Sequence, residues 1–103
     1  GVNEGADDVV TYLNSLSQNF PNPFNPVTRV NFSLAEKGRV SVVVYDVDGR
    51  MVRVLADDVR EAGPHSIVWD GRNERGQDLA SGSYFIRYQS GTDSFWRKAA
   101  LLR

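Results

Sequence analysis

Three of the four prolines in this chain fall in one short stretch, at Pro21, Pro23 and Pro26. They are interleaved with Asn19, Asn22 and Asn25 and with the aromatics Phe20 and Phe24. Proline fixes φ and cannot donate a ladder hydrogen bond, so the stretch is neither helix nor central strand. Asparagine side chains hydrogen-bond nearby backbone and favour ordered turns over coil. The two phenylalanines give the loop something to bury, which a linker does not need. The stretch therefore reads as a rigid lead-in to a β-domain, with Phe20 or Phe24 pinned to its core.

The rest of the chain alternates as strands do. Thr28–Leu34 places Val30, Phe32 and Leu34 against Arg29, Asn31 and Ser33, a period of two. Arg39–Asp46 places Val40, Val42 and Val44 opposite Ser41, Val43 and Tyr45; apolar residues on both faces predict a central strand. Asp48-Gly49, beside Asp46, is a hairpin signal because glycine supplies positive φ at little cost. Arg50–Leu55 returns as the partner strand, Ala56–Pro64 reads as a polar connection, and His65–Trp69 as a further strand. A long loop from Asp70 to Gly82 precedes the last two strands, Tyr84–Gln89 and Ser94–Leu102, joined across Ser90–Asp93. Val9–Leu13 reads as a short edge strand or a single helical turn. Six or seven strands at about ten-residue spacing, with no amphipathic helix, predict an all-β, antiparallel sandwich.

At 103 residues the chain supports one domain. Its 12 basic and 13 acidic residues nearly cancel, which leaves no electrostatic footprint for nucleic acid and no basic stretch for a membrane surface. No apolar run approaches the roughly 20 residues of a membrane-spanning helix. The first eight residues are small and acidic, without a signal-peptide core, and read as a cut from a longer protein. The absence of cysteine excludes disulfides and thiolate metal sites but leaves the compartment open.

Candidate chemistry is sparse. The single histidine, His65, shares strand parity with Ile67 and Trp69, and no second histidine or cysteine completes a zinc set. No Gly-x-Ser-x-Gly elbow accompanies a serine nucleophile. Asp70, Asn73, Glu74 and Asp78 suggest calcium, but Arg72 stands where an EF-hand loop needs its second ligand. The competing reading has Asp70 capping a turn that Gly71 and Gly76 let bend. Asp46 and Asp48 carry the same two readings. Trp69, Trp96, Tyr84 and Tyr88 are either core or a sugar-stacking platform, and a platform needs them exposed. Asn31-Phe-Ser33 matches a glycosylation sequon in mid-strand.

An ordered series of motifs remains. It runs Leu16-x-Gln-Asn-Phe-Pro-Asn-Pro-Phe-Asn-Pro-x-Thr28, Val44-Tyr-Asp-Val-Asp-Gly-Arg50, Trp69-Asp-Gly71, Gly76, Ser81-Gly82-x-Tyr84-Phe85, and Arg97-Lys98 with Leu101-Leu102-Arg103. From about residue 16 to the end it resembles the C-terminal sorting domain (type A) of type IX secretion substrates. It is equally similar to the related Ig-like domain of flagellar hook-capping proteins. The resemblance implies an Ig-like sandwich of about seven strands over 16–103, with 1–15 a linker end or short edge strand from a larger upstream protein. It implies no catalytic activity, no cofactor and no metal. Its implied partners are an outer-membrane secretion translocon, a cell-surface sortase and an upstream cargo on the same chain, with no nucleic acid and no membrane insertion. The implied destination is the exterior or cell surface, reached through the periplasm of a Gram-negative bacterium. Lys98, Leu101, Leu102 and Arg103 become the expected recognition element. Pro21, Asn22 and Pro23 shape the lead-in loop. Asp46, Gly49, Trp69, Asp70, Gly71, Gly82 and Tyr84 become structural, with the Tyr84 hydroxyl tying down a loop as in a tyrosine corner. The alternatives are a carbohydrate-binding or adhesion module of an extracellular enzyme, or a structural domain of a hook-cap assembly.

Overall fold

A computed structural model describes residues 10–103. Among them the regular structure is entirely β: β1 Ser15–Leu16, β2 Thr28–Leu34, β3 Gly38–Tyr45, β4 Met51–Arg60, β5 Gly63–Trp69, β6 Gly82–Ser90 and β7 Asp93–Leu101. A three-stranded sheet has the order β1-β2-β5 and a four-stranded sheet the order β4-β3-β6-β7. Every strand pairing is antiparallel. The domain is an Ig-like β-sandwich.

The alternation in the sequence explains the core. Val30, Phe32 and Leu34 of β2 face Val40, Val42 and Val44 of β3, and Ile86 and Tyr88 extend the inner face along β6. All are buried, each worth about 1.5–3 kcal/mol of removed apolar surface. Trp69 at the end of β5 fills the same core, and its indole N–H donates to the Arg72 carbonyl at 3.1 Å. The Tyr88 hydroxyl crosses between the sheets to the Ser33 carbonyl at 2.9 Å.

Two segments depart from the sequence expectation. β4 continues through Ala56-Asp57-Asp58-Val59-Arg60, where a polar connection was expected, and only residues 61–62 join it to β5. Ala56–Arg60 pairs with Gly38–Val42 at the sheet's edge, where charged side chains can project into water. The register shifts twice along β3–β4, leaving Leu55 and Val52 as extra residues on β4. Such bulges break the period of two, which is why the strand's length does not read from its pattern. Val10–Leu13 forms neither strand nor helical turn; Val9 lies outside the described residues.

Candidate functional site

The proline stretch is a closed loop between β1 and β2. Phe20 N–H donates to the Arg29 carbonyl at 3.0 Å and Arg29 N–H returns to the Phe20 carbonyl at 2.9 Å. Inside, the Pro21 carbonyl accepts the Thr28 hydroxyl at 2.8 Å and the Asn19 amide at 3.3 Å. Asn19 also donates to the Thr28 oxygen at 3.0 Å and accepts from the Gln18 amide at 2.7 Å. Asn19 and Thr28 are both buried, and no buried side-chain polar atom among the described residues lacks a partner. The peptides before Pro21, Pro23 and Pro26 are cis. Phe24 is the anchor: it is 1% exposed against 77% for Phe20, with its ring 5.2 Å from that of Trp69.

This loop also covers the outer edge of β7. β7 pairs with β6 in antiparallel register, so alternate residues turn their backbone groups away from β6. On the C-terminal half those groups are taken up by the loop. The Lys98 carbonyl accepts from Gln18 at 2.7 Å and from Asn22 at 3.4 Å. Ala100 N–H donates to the Asn22 side chain at 2.9 Å. The Ala100 carbonyl accepts Phe24 N–H at 2.9 Å, and Leu102 N–H donates to the Phe24 carbonyl at 2.8 Å. Two motifs at opposite ends of the sequence thus make one surface. Pro21, Asn22 and Pro23 lie exposed upon it.

The four terminal residues separate by position. Lys98 and Leu102 are exposed; Leu101 is wholly buried and belongs to the core. Its parity with the buried Ala99 is the signal that would have placed it there. Arg103 turns back onto the loop after β5, donating to the Gly71 carbonyl at 2.6 Å and to the Leu79 carbonyl. Its guanidinium lies 3.6 Å from Asp78.

That loop is built around Asp70 and Gly71. The Asp70 carboxylate accepts Arg72 N–H at 3.1 Å and pairs with Arg53 at 3.0 Å. Arg53 also pairs with Glu74, and Arg72 with Asp78. Each carboxylate proposed for calcium therefore faces a guanidinium, and the loop reads as an arginine-tied turn. Gly71 has φ +71°, and a Cβ there would lie 3.0 Å from both the Pro26 carbonyl and Arg103. The position needs glycine for its backbone and for its neighbours alike. Gly82 opens β6, and the Tyr84 hydroxyl donates to the Ala80 carbonyl at 2.7 Å, tying the loop's end as expected. Burial pushes the phenols of Tyr84 and Tyr88 above their ordinary range.

At the β3–β4 turn, Asp46 accepts N–H groups from Asp48 at 2.9 Å and Arg50 at 3.0 Å. Gly49 has φ +81° and donates to the Asp46 carbonyl. The Arg50 N–H, the largest influence, holds the Asp46 carboxyl below the usual carboxylate range against the opposing effect of desolvation, helped to a lesser degree by the Asp48 N–H and the Arg50 guanidinium. This is the hairpin reading of Asp46 and Asp48.

Of the four aromatics considered for sugar stacking, Trp69, Tyr84 and Tyr88 are buried and only Trp96, at 49%, is exposed. Trp96 is tilted 46° to Tyr45 at 5.5 Å, so no coplanar platform forms from that set. His65 stacks on Phe32 at 5.3 Å and its Nε2 lies 2.8 Å from the Glu61 carbonyl.

Comparison with known proteins follows the same lines. Residues 22–94 match the model of the FlgD Ig-like domain. The chain belongs to this family. Over 48 residues it is 40% identical to the basal-body rod modification protein FlgD of Salmonella typhimurium, covering 47% of this chain. The chain spans about a fifth, 21%, of that relative's length. Among solved structures, FlgD from Xanthomonas campestris is similar with 26% identity and a TM-score of 0.58, over 94% of this chain and 71% of that one. Dimeric latent PorU from Porphyromonas gingivalis superposes with a TM-score of 0.69 at 20% identity, over 92% of this chain and 10% of that one. PorZ, a surface component of the type IX secretion system of the same organism, gives 0.58 at 23%, over 86% of this chain and 12% of that one. PorU and PorZ share the fold.

Proposed function

We propose that this domain is a non-catalytic sorting signal that takes a larger exported cargo through the outer membrane to the cell surface. The observation that carries the reading is the clasp between residues 18–24 and residues 98–102. The first and last motifs of the resemblance meet only in the folded domain, so a partner that reads this surface reads a completed fold. The translocon and the sortase are then the partners, and the cargo is the upstream part of the same chain. Exposed Lys98 and Leu102 beside Asn22 are the side chains offered to them. Leu101 and Arg103 act indirectly, by holding the segment in place.

A second reading, a structural Ig-like domain of a hook cap, is supported by the family match and by the identity to FlgD. A reporter fused to residues 1–103, expressed in a host with the secretion system, separates the two. Removing 98–103 would also remove core residue Leu101, so the informative changes are Lys98→Ala and Leu102→Ala at exposed positions. Surface delivery lost with the fold intact supports sorting. Delivery unchanged by both substitutions, or absent for the unmodified fusion, counts against it.

A further inference from the structure

The outward face of the four-stranded sheet carries aromatic residues where alternation would place polar ones. Met51 of β4 pairs with Tyr45 of β3, and Tyr45 with Phe85 of β6, so the three form one row across the sheet. Trp96 of β7 is paired with Arg87 of β6 and meets Tyr45 with ring centroids 5.5 Å apart. Tyr45, Phe85, Arg87 and Trp96, with Val47 of the β3–β4 turn, line a cleft of about 420 Å³. Exposed apolar surface continues beyond it: Val47 is 69% exposed and Met51 56%. Arg87 has no counter-charge. Its guanidinium lies over the Trp96 ring at 5.6 Å, and its Nε donates to the Ser94 hydroxyl at 3.2 Å. Its two terminal nitrogens make no hydrogen bond, and the residue no ion pair, with any described residue. Asp46, the one carboxylate lining the cleft, is taken up by the N–H groups of Asp48 and Arg50 and by the Arg50 guanidinium.

We infer that this cleft docks a protein segment in which a carboxylate adjoins an apolar side chain. The free fork of Arg87 receives the carboxylate through two parallel N–H···O bonds. Trp96 and Ser94 already hold the guanidinium, so little side-chain freedom is lost on binding. The aromatic walls take the apolar side chain. Charge complementarity selects an anionic partner. The apolar surface running on to Val47 and Met51 selects a protein over a small molecule, which would leave both uncovered. The rings of Tyr45 and Trp96 are tilted by 46°, which disfavours a sugar ring stacked flat across both. Lys98, opposite Phe85, adds a second cation at the rim. The cleft lies on the sheet face and not on the clasped β7 edge, and its use does not depend on an export role.

The test is nuclear magnetic resonance titration of the 1–103 chain with a short blocked peptide, phenylalanine followed by aspartate between glycine and serine flanks. Saturable shifts are expected at the Trp96 indole and the Arg87 side chain, with the buried Trp69 indole unmoved. Replacing aspartate by asparagine, or phenylalanine by alanine, in the peptide should weaken binding by about tenfold or more. Arg87→Gln and Trp96→Ala should do the same, with circular dichroism showing both variants folded, since neither residue belongs to the buried core. Arg87→Lys keeps the charge without the fork and should recover only part of the affinity. Lys98 stays unchanged in every variant, so failure here is separable from failure of Lys98-dependent sorting. No shift of the Trp96 indole at millimolar peptide, equal affinity for the asparagine peptide, or equal binding by Arg87→Gln would overturn the proposal. Cellobiose moving the Trp96 signal as strongly, or self-association moving it without peptide, would also overturn it, by making a sugar or a second copy the occupant.

Discussion

The two long loops of this domain do the same mechanical job with different chemistry. Residues 17–27 close one end of the sandwich with a buried phenylalanine and neutral amide, hydroxyl and carbonyl groups. Residues 70–81 are tied with arginines and carboxylates, most of them in contact with water. Buried neutral hydrogen bonds and apolar burial are insensitive to salt. Exposed ion pairs are screened within a Debye length of about 8 Å at physiological ionic strength. The first loop is thus built to hold under any ionic condition, and the second to hold with less energy per contact.

That contrast is broken most directly at Phe24. Phe24→Ala should cost about 3–5 kcal/mol, a large part of the roughly 5–15 kcal/mol typical of a domain, read by urea unfolding. A loss below about 1 kcal/mol would mean that the loop is draped on the core and not anchored in it. Next is Asn19→Ala, which takes one donor from the buried Thr28 hydroxyl and one from the Pro21 carbonyl. About 1–3 kcal/mol is expected, the same at low and high salt. Arg53→Ala in the second loop should cost about 1 kcal/mol or less, and the difference from wild type should shrink in 1 M salt. A salt-independent loss would show that Arg53 acts by packing.

The smallest effect is acid titration of the β3–β4 turn. The Asp46 pKa is lowered in the folded state from its ordinary value of 3.8. Its contribution is therefore complete above that value and lost as pH falls through the lower folded-state value. Wild type and Asp46→Asn, compared by thermal unfolding across pH 2 to 6, should differ less at the acid end. A constant difference would assign the turn to geometry alone.

Much of the fold was legible because a half-buried strand writes a period of two into its sequence. β2, β3, β5, β6 and β7 all fall within a few residues of their expected limits. β4 was not, because an edge strand with two bulges obeys neither period nor burial along its whole length. Asp70 as a turn cap and Tyr84 as a loop tie were legible from local chemistry, since each partner lies within four residues in sequence. The choice between Phe20 and Phe24 was not local. Both flank prolines in similar surroundings, and only docking against Trp69 selects one.

The sequence alone therefore determined where the backbone cannot be regular, which strands alternate, and that the proline stretch must bury an aromatic. Proline and glycine restrict φ whatever surrounds them, and alternation needs only one buried face. Only the tertiary structure decided that this stretch clasps residues 98–102, and that Leu101 is core while Lys98 and Leu102 face water. Those outcomes depend on hydrogen bonds between residues nearly eighty positions apart. No local propensity encodes a partner at that separation.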